Sequence, residues 1–376
     1  MDFQLNKFQS MTINSMREFV RKEVMPVAQE LDEKAEFPLD SYRKAADLGI
    51  LDMTLPLEMG GSGADYLSFA IALEEFACGS AALANSIAMN EMVVHLLEIF
   101  GTEDQQKKYM APLVNAQIIG AVALDNMDDA EAANQPLRAV ADGNGYLVNG
   151  SMRYIANAPI ADLVIFFAGT ADGKILAFAV EKNLPGLALG KSIGMMGQRS
   201  LPVGGLIFHD VRIPLESRIG KDVDGLIIIN ACLNRMRIFT GAVAVGISQA
   251  AMEEAARYSQ QRIQFKKTLA SFEAIQNKIA DMASGVEAAR LLVYQAAALT
   301  DQKKKSEKQS SIAKVFASDL AVAAGREAVQ IHGGYGYVKD YTVERLYRDA
   351  LFTQIYNENN ETQRFKIARR VFNEYK

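Results

Sequence analysis

The sequence predicts an α+β protein of several domains, in which a helical segment, a β segment and a second helical segment follow one another. Up to residue 118, apolar residues recur at three- and four-residue spacing, as in amphipathic helices. Between residues 119 and 225, short alternating or β-branched runs are broken by Gly, Asn and Asp, as in strands and turns. From residue 226 to residue 376 the helical period returns. We therefore predict an N-terminal helical domain (1–118), a middle β domain (119–225) and a C-terminal helical bundle (226–376).

Helices account for the first segment. The run FQSMTINSMREFVRKEVMPVAQELDEKA has helical apolar spacing, and LDSYRKAADLGI reads as a short amphipathic helix ending in glycine. The run LSFAIALEEFACGSAALANSIAMNEMVVHLLEIFG is apolar nearly all round, which predicts one long helix buried on most sides. In GTEDQQKKYMAPLVNAQ, Thr102 is placed to cap a further helix with an acidic first turn.

Strand signals fill the middle segment in the runs GAVALD, ADLVIFFAGT, ILAFAVEK and VGGLIFHDVRIP. Between two further strand-like runs stands Asp142-Gly143-Asn144-Gly145, a sequence that favours a tight hairpin turn. In the last segment, three long helical runs without coiled-coil charge patterning predict an antiparallel bundle, whose outer apolar faces would pack against copies of the same chain.

Composition narrows the classes of function. A net charge of -5 and a pI near 5.5 provide no excess of basic residues to neutralise phosphates, which argues against a nucleic-acid partner. No apolar run approaches 18 residues and the N-terminus has no signal-peptide pattern, so we expect a cytoplasmic protein without a membrane span. Cys78 and Cys232 are expected to be buried free thiols. His95, His209 and His332 lack metal-ligand spacing, so no metal site is expected.

Four segments, taken in order, resemble the acyl-CoA dehydrogenase family from end to end. They are LEMGGSGADYLSFAIALEEFA, MGQRSLPVGGLIFHDVRIP, QRIQFKKTLASFEAIQNKIADM and QIHGGYGYVKDYTVERLYRDA, the last of which is nearly the family consensus. The resemblance implies the acyl-CoA dehydrogenase fold: a helical domain, a middle β-barrel domain and a C-terminal four-helix bundle, usually assembled as a tetramer.

The same resemblance implies an activity. Members of the family use FAD to remove two hydrogens from an acyl thioester: a carboxylate takes the α-proton, and the flavin accepts a hydride from the β-carbon. The implied partners are an acyl-CoA or acyl-carrier-protein substrate and an electron-transfer flavoprotein.

Part of the FAD site is carried over by resemblance. Arg262 and Phe265 match family residues that reach the FAD of a neighbouring subunit, and an arginine fits a pyrophosphate bidentately. Gln330, Gly333 and Gly334 match positions where the backbone approaches the cofactor closely. The alternatives are a surface ion pair for Arg262 and a helix C-cap for the two glycines.

Two departures from the family pattern alter this end of the site. Lys266 replaces a glycine, and Glu273 replaces a glutamine. A carboxylate at position 273 would be unfavourable near a pyrophosphate unless Lys266 or Lys267 offsets its charge.

At the flavin-ring end, Asp125 stands where the family has a hydroxyl residue that meets the flavin. Tyr154 can stack on the ring, whereas Ala156 cannot donate the hydrogen bond that the family threonine gives. For Tyr154 and Ala156 ordinary strand packing is the alternative.

The position of the catalytic base is altered as well. Arg237 matches a family arginine beside the active site, and Met236, at the second known location of the base, is expected to be a core residue. In IYNENNETQR the family glutamate falls on Asn357 and the following glycine on Glu358. An amide cannot take the α-proton, so Glu358 could replace the base only if the loop is reshaped.

Two hypotheses follow. The first is a FAD-dependent oxidoreductase that acts on the α,β-bond of an acyl thioester with a non-standard acid/base group, Glu358 or Asp125. The second is a catalytically degenerate subunit that keeps the fold and contributes half of a FAD site to an active paralogue in a mixed oligomer. The assembly would be a homotetramer in the first case and a mixed tetramer in the second.

Overall fold

The computed structural model describes residues 4–124, 136–220 and 223–375. Its N-terminal helices are α1 (Lys7–Phe19), α2 (Met25–Lys34), α3 (Leu39–Asp47), α4 (Tyr66–Gly79), α5 (Ala81–Phe100) and α6 (Glu103–Val114). A π-helical turn, Val20–Val24, joins α1 to α2. Helices α4 and α5 are buried along most of their length, as their apolar sequence predicts.

Two helix termini show how local sequence sets these elements. Thr102 caps α6 in a capping box with Gln105, which confirms the predicted N-cap. The sequence predicts one long helix over LSFAI…EIFG. That prediction is wrong, because the helix is interrupted at Ser80. There the backbone is extended, and the Ser80 hydroxyl accepts a hydrogen bond from the amide of Leu83 at 3.3 Å, starting α5 as a separate helix.

The middle domain is one twisted sheet. Its strands are β1 (Gly120–Ala123), β2 (Leu137–Asp142), β3 (Gly145–Ala156), β4 (Leu163–Gly169), β5 (Ile175–Glu181), β6 (Leu187–Leu189), β7 (Val203–Pro214) and β8 (Arg218–Ile219). They lie in the order β6-β7-β3-β2-β4-β5-β8, with β1 parallel to β4. Asp142 pairs with Gly145 across a two-residue turn in which Gly143 has a φ of 59°, which confirms the predicted hairpin.

The C-terminal domain is helical. It contains α7 (Gly225–Gln261), α8 (Glu273–Asp301), α9 (Glu307–His332), α10 (Val343–Ile355) and α11 (Asn360–Glu374), with a small ribbon of β9 (Ile263–Gln264) and β10 (Lys267–Thr268) between α7 and α8. Helix α7 is long and apolar enough to cross a membrane by length and composition, but 67% of its most apolar window is buried inside the molecule. Such burial is typical of the core helix of a globular domain.

The architecture confirms the predicted fold class of helical, β and helical domains in sequence. Strands replace helices between Val114 and Gly120, and helices return between Ile219 and Gly225. The limits 1–118, 119–225 and 226–376 stay predictions. Both cysteines are free, Cys232 buried and Cys78 half-buried.

Candidate functional site

A cavity of about 480 Å³ lies where the middle domain meets α10 and the turn after it. Its volume is within the range of roughly 300–1,000 Å³ that is typical of small-molecule sites. The lining is largely apolar and includes Tyr154, Met195, Leu233, Phe352, Tyr356 and Asn357. Residues distant in sequence therefore meet here, from the end of β3, the loop before β7, α7, α10 and the turn between α10 and α11.

Tyr154 is placed on the cavity wall by a local irregularity of β3. The pairing of β3 with β7 shifts register between Met152 and Ile155, and Tyr154 has a φ of 61°. The side chain is 69% exposed, so Tyr154 is not packed as an ordinary strand residue. Ala156, two residues along, is 1% exposed and packs in the core.

The turn between α10 and α11 carries residue 357. Asn357 and Glu358 both have positive φ, 51° and 79°, although neither is glycine. Asn357 is half-buried and lines the cavity, with its amide nitrogen 3.4 Å from the hydroxyl of Thr240. Asn359 then caps α11 by accepting a hydrogen bond from the amide of Thr362.

Glu358 is buried in a network of ion pairs. Arg237 donates to its Oε2 from Nε at 3.0 Å and from Nη2 at 2.6 Å, and Gln363 donates to the same oxygen at 2.9 Å. Lys366 pairs with Oε1. Burial by itself would raise the pKa of Glu358, but the charges of Arg237 and Lys366 outweigh it and hold the pKa below its ordinary value.

These contacts weigh against Glu358 as the base. A base needs a carboxylate that is free to accept a proton from the substrate, and here both oxygens accept hydrogen bonds from the protein. The role of Glu358 as base stays a prediction that the geometry does not favour. Met236, 1% exposed, is a core residue as predicted, and the guanidinium of Arg237 is directed to Glu358.

A second cleft, of about 610 Å³, lies at the C-terminal end of α9 and includes Arg262, Gly333 and Gly334 in its lining. The Arg262 guanidinium lies 5.5 Å from the centre of the Tyr335 ring. Gly333 ends α9 as its C-cap with a φ of 61°, and its contact with a cofactor stays a prediction. A side-chain carbon added at Gly334 would meet no atom of the chain within 4 Å, so no contact in the described structure explains that glycine.

The remaining predicted cofactor residues are exposed and do not line this cleft. They are Phe265, 87% exposed with a φ of 49°, together with Gln330 and Glu273. The cleft and the cavity share no lining residue. Asp125 lies outside the described residues.

Sequence reasoning missed Lys314 and Lys366, which hold the turn around Asn357. Lys314 lies in α9 among Ala313, Ala317 and Ser318, on the buried face of the helix. A lysine on an otherwise small and apolar helix face is a signal that the sequence did contain.

The described residues fit the two halves of a dinucleotide at two separate places on the chain. The exposed Tyr154 ring and the apolar cavity suit a flat ring system. Arg262 and the open backbone at Gly334 suit a pyrophosphate. These two halves lie in different cavities of one chain, which have no lining residue in common.

Comparisons with known proteins agree along the whole chain. The sequence matches the acyl-CoA dehydrogenase N-terminal domain over residues 6–117, the middle domain over residues 128–211 and the C-terminal domain over residues 223–372. An acyl-CoA dehydrogenase of Bacillus subtilis is 41% identical, with 96% of this chain and 97% of the relative covered.

Solved structures show the same likeness. Butyryl-CoA dehydrogenase from Megasphaera elsdenii superposes with a TM-score of 0.94 at 36% identity, over 99% of this chain and 100% of the other. The structure of PigA with FAD and proline gives a TM-score of 0.91 at 28% identity, over 99% of both chains. The chain belongs to the acyl-CoA dehydrogenase family.

Proposed function

We propose that this protein is a FAD-dependent oxidoreductase that acts on the α,β-bond of an acyl thioester, carried by CoA or by a carrier protein, with a non-standard acid/base group. The observation that carries the proposal is the cavity itself. Its wall holds an exposed aromatic ring, Tyr154, on the side of the β domain and the turn of residue 357 on the side of the helices.

The chain's own residues provide binding and exclusion of water. When bound, FAD supplies the hydride acceptor. Tyr154 offers a ring face, and Met195, Leu233 and Phe352 surround the cavity with apolar surface that suits a short acyl chain. Asn357 offers amide donors at the position where the family carries a carboxylate.

The acid/base group is the unusual feature of the proposal. Asn357 has no proton affinity in the useful range, and the ion pairs of Glu358 occupy both of its oxygens. Of the two carboxylates that the sequence nominated, we retain Asp125 as the candidate acid/base group, since Glu358 is held in ion pairs.

The cleft of Arg262 and Gly334 supports an assembly in which each FAD is shared between two copies of the chain. Arg262 would hold the pyrophosphate of a neighbour's FAD. We propose a homotetramer, with an electron-transfer flavoprotein as the electron acceptor.

The test is turnover. The purified protein, supplied with FAD, is assayed with a series of straight-chain acyl-CoAs and with the same acyl groups on a carrier protein, using a dye as electron acceptor. We expect thioester-dependent dye reduction that Asp125→Asn diminishes. Protein that binds no FAD, or FAD-loaded protein inactive with every thioester, contradicts the proposal.

A second candidate function is a degenerate subunit that serves an active paralogue. The observation in its favour is that the cleft of Arg262 and Gly334 shares no lining residue with the cavity of Tyr154 and Asn357, where the residues depart from the family pattern. Co-purification from the native source decides it: a mixed oligomer supports this candidate, and a homomer with one FAD per chain refutes it.

A further inference from the structure

Lys314 is a fully buried lysine that spans the turn between α10 and α11. Its Nζ donates to the carbonyl of Gln354 at 2.9 Å, to the carbonyl of Glu358 at 2.8 Å and to Oδ1 of Asn360 at 2.8 Å. An ammonium group has three donors, and all three are used. One side chain therefore ties the end of α10, the middle of the turn and the start of α11 to helix α9.

The same turn is held from its other side by the carboxylate of Glu358. Arg237, on α7, and Lys366, on α11, form ion pairs with that buried carboxylate. Both the main chain and the side chain of Glu358 are thus fixed, the former by Lys314 and the latter by Arg237 and Lys366.

Asn357 lies directly before this anchor and in a strained backbone conformation. Two consecutive non-glycine residues with positive φ cost conformational energy and persist only where surrounding contacts over-determine them. The anchor supplies those contacts. The hydrogen bond from the Asn357 amide to the Thr240 hydroxyl is long, at 3.4 Å, and Asn357 lines the cavity, so its amide is available to a ligand there.

Burying a lysine is costly, and the three hydrogen bonds of Lys314 to the turn offset that cost. Burial lowers the pKa of Lys314 to about 7, although the nearby charge of Glu358 opposes the shift. A methionine would fill the same space on the face shared with Ala313 and Ala317 without that cost.

We infer that Lys314 is a positioning residue, which together with the Arg237–Glu358 ion pair fixes the turn so that the Asn357 carboxamide donates a hydrogen bond to the carbonyl of a thioester in the cavity. The inference rests on the proposed function. Asn357 then binds the substrate, at the position where the family carries its catalytic base.

A double-mutant cycle tests the inference, with crotonyl-CoA as the ligand and calorimetric titration of the FAD-loaded protein as the measurement. The variants are Asn357→Ala, Lys314→Met and the combination of the two. Lys308→Met is the matched control, because Lys308 lies on the same helix but pairs at the surface with Glu374.

Asn357→Ala should weaken binding roughly 3- to 10-fold, the value of one hydrogen bond, and Lys314→Met should weaken it by a similar factor. The double variant should bind no more weakly than either single variant, because both changes remove the same contact. Lys308→Met should bind as the wild type does. A general loss of structure at Lys314 would instead add to the effect of Asn357→Ala.

Three results overturn the inference: additive losses in the double variant, an unchanged affinity in Asn357→Ala, or an unchanged affinity in Lys314→Met. Should Lys314→Met fail to fold, Glu358→Gln takes its place in the cycle with the same expectation. A wild type that does not bind crotonyl-CoA at all refutes the proposed function, whereas a wild type that binds without coupling refutes only the positioning role.

Discussion

Replacing Glu358 by glutamine should destabilise the protein markedly. Arg237, whose side chain is 6% exposed, would lose its carboxylate partner and remain a buried, uncompensated charge, and Lys366 would lose its partner as well. Breaking a buried ion pair from one side costs about 3–5 kcal/mol. Glutamine still offers one acceptor, so we expect the lower end, about 3 kcal/mol.

The assay is urea unfolding followed by circular dichroism, with Glu361→Gln as the control. Glu361 is 75% exposed and lies 3.9 Å from Arg364, so its replacement should change the free energy of unfolding by less than about 0.5 kcal/mol. If the Glu358→Gln variant unfolds at the same urea concentration as the wild type, the ion pairs of Glu358 do not stabilise the fold.

The difference in the free energy of unfolding between wild type and Glu358→Gln should depend on pH. The pKa of Glu358 is lower in the folded protein than its ordinary value of 4.5, because the charges of Arg237 and Lys366 outweigh the opposing effect of burial. The unfolded chain therefore binds the proton first as pH falls, and the stabilisation by Glu358 is present above about pH 4.5 and lost below it. The gap between wild type and Glu358→Gln should be constant near neutral pH and shrink in acid.

Further predictions concern the cavity, the cleft and a buried acid. Tyr154→Ala should weaken FAD retention on gel filtration, while Tyr154→Phe, which keeps the ring, should not. Arg262→Ala should lower FAD occupancy, measured as absorbance per chain, and Arg262→Lys should restore it only in part. Asn357→Glu should accelerate deuterium exchange at the α-carbon of butyryl-CoA, measured by mass spectrometry, since it adds a carboxylate at the cavity wall. Burial raises the pKa of Glu91 to about 8, against the effect of its hydrogen bond with Thr54, so its stabilisation is full below about pH 4.5 and lost as pH rises through 8. Wild type should therefore lose stability relative to Glu91→Gln between pH 5 and pH 9, as read from urea midpoints.

Features that depend on neighbouring residues were predictable from the sequence. The hairpin at Gly143 and the cap at Thr102 follow from local hydrogen bonding and backbone preference, and both are present. The break at Ser80 is also local. It was missed because the apolar pattern continues on both sides of the cap and hides the interruption.

Features that depend on tertiary contacts were not predictable in the same way. The sequence showed that Glu358 replaces a glycine, but its ion pairs come from α7 and from the following helix, which meet only in the folded chain. Tyr154 is exposed because of a bulge in β3, and the bulge depends on how that strand pairs with β7. Periodicity alone does not reveal either fact.

We propose that this chain binds FAD and oxidises an acyl thioester although residue 357 is an asparagine. Anaerobic addition of butyryl-CoA to the FAD-loaded protein tests it most directly, with the flavin absorbance followed in a stopped-flow instrument. We expect the oxidised flavin spectrum to be lost upon mixing, and to be lost more slowly in Asp125→Asn. A flavin that stays oxidised at saturating butyryl-CoA, and at saturation with other acyl thioesters, would contradict it.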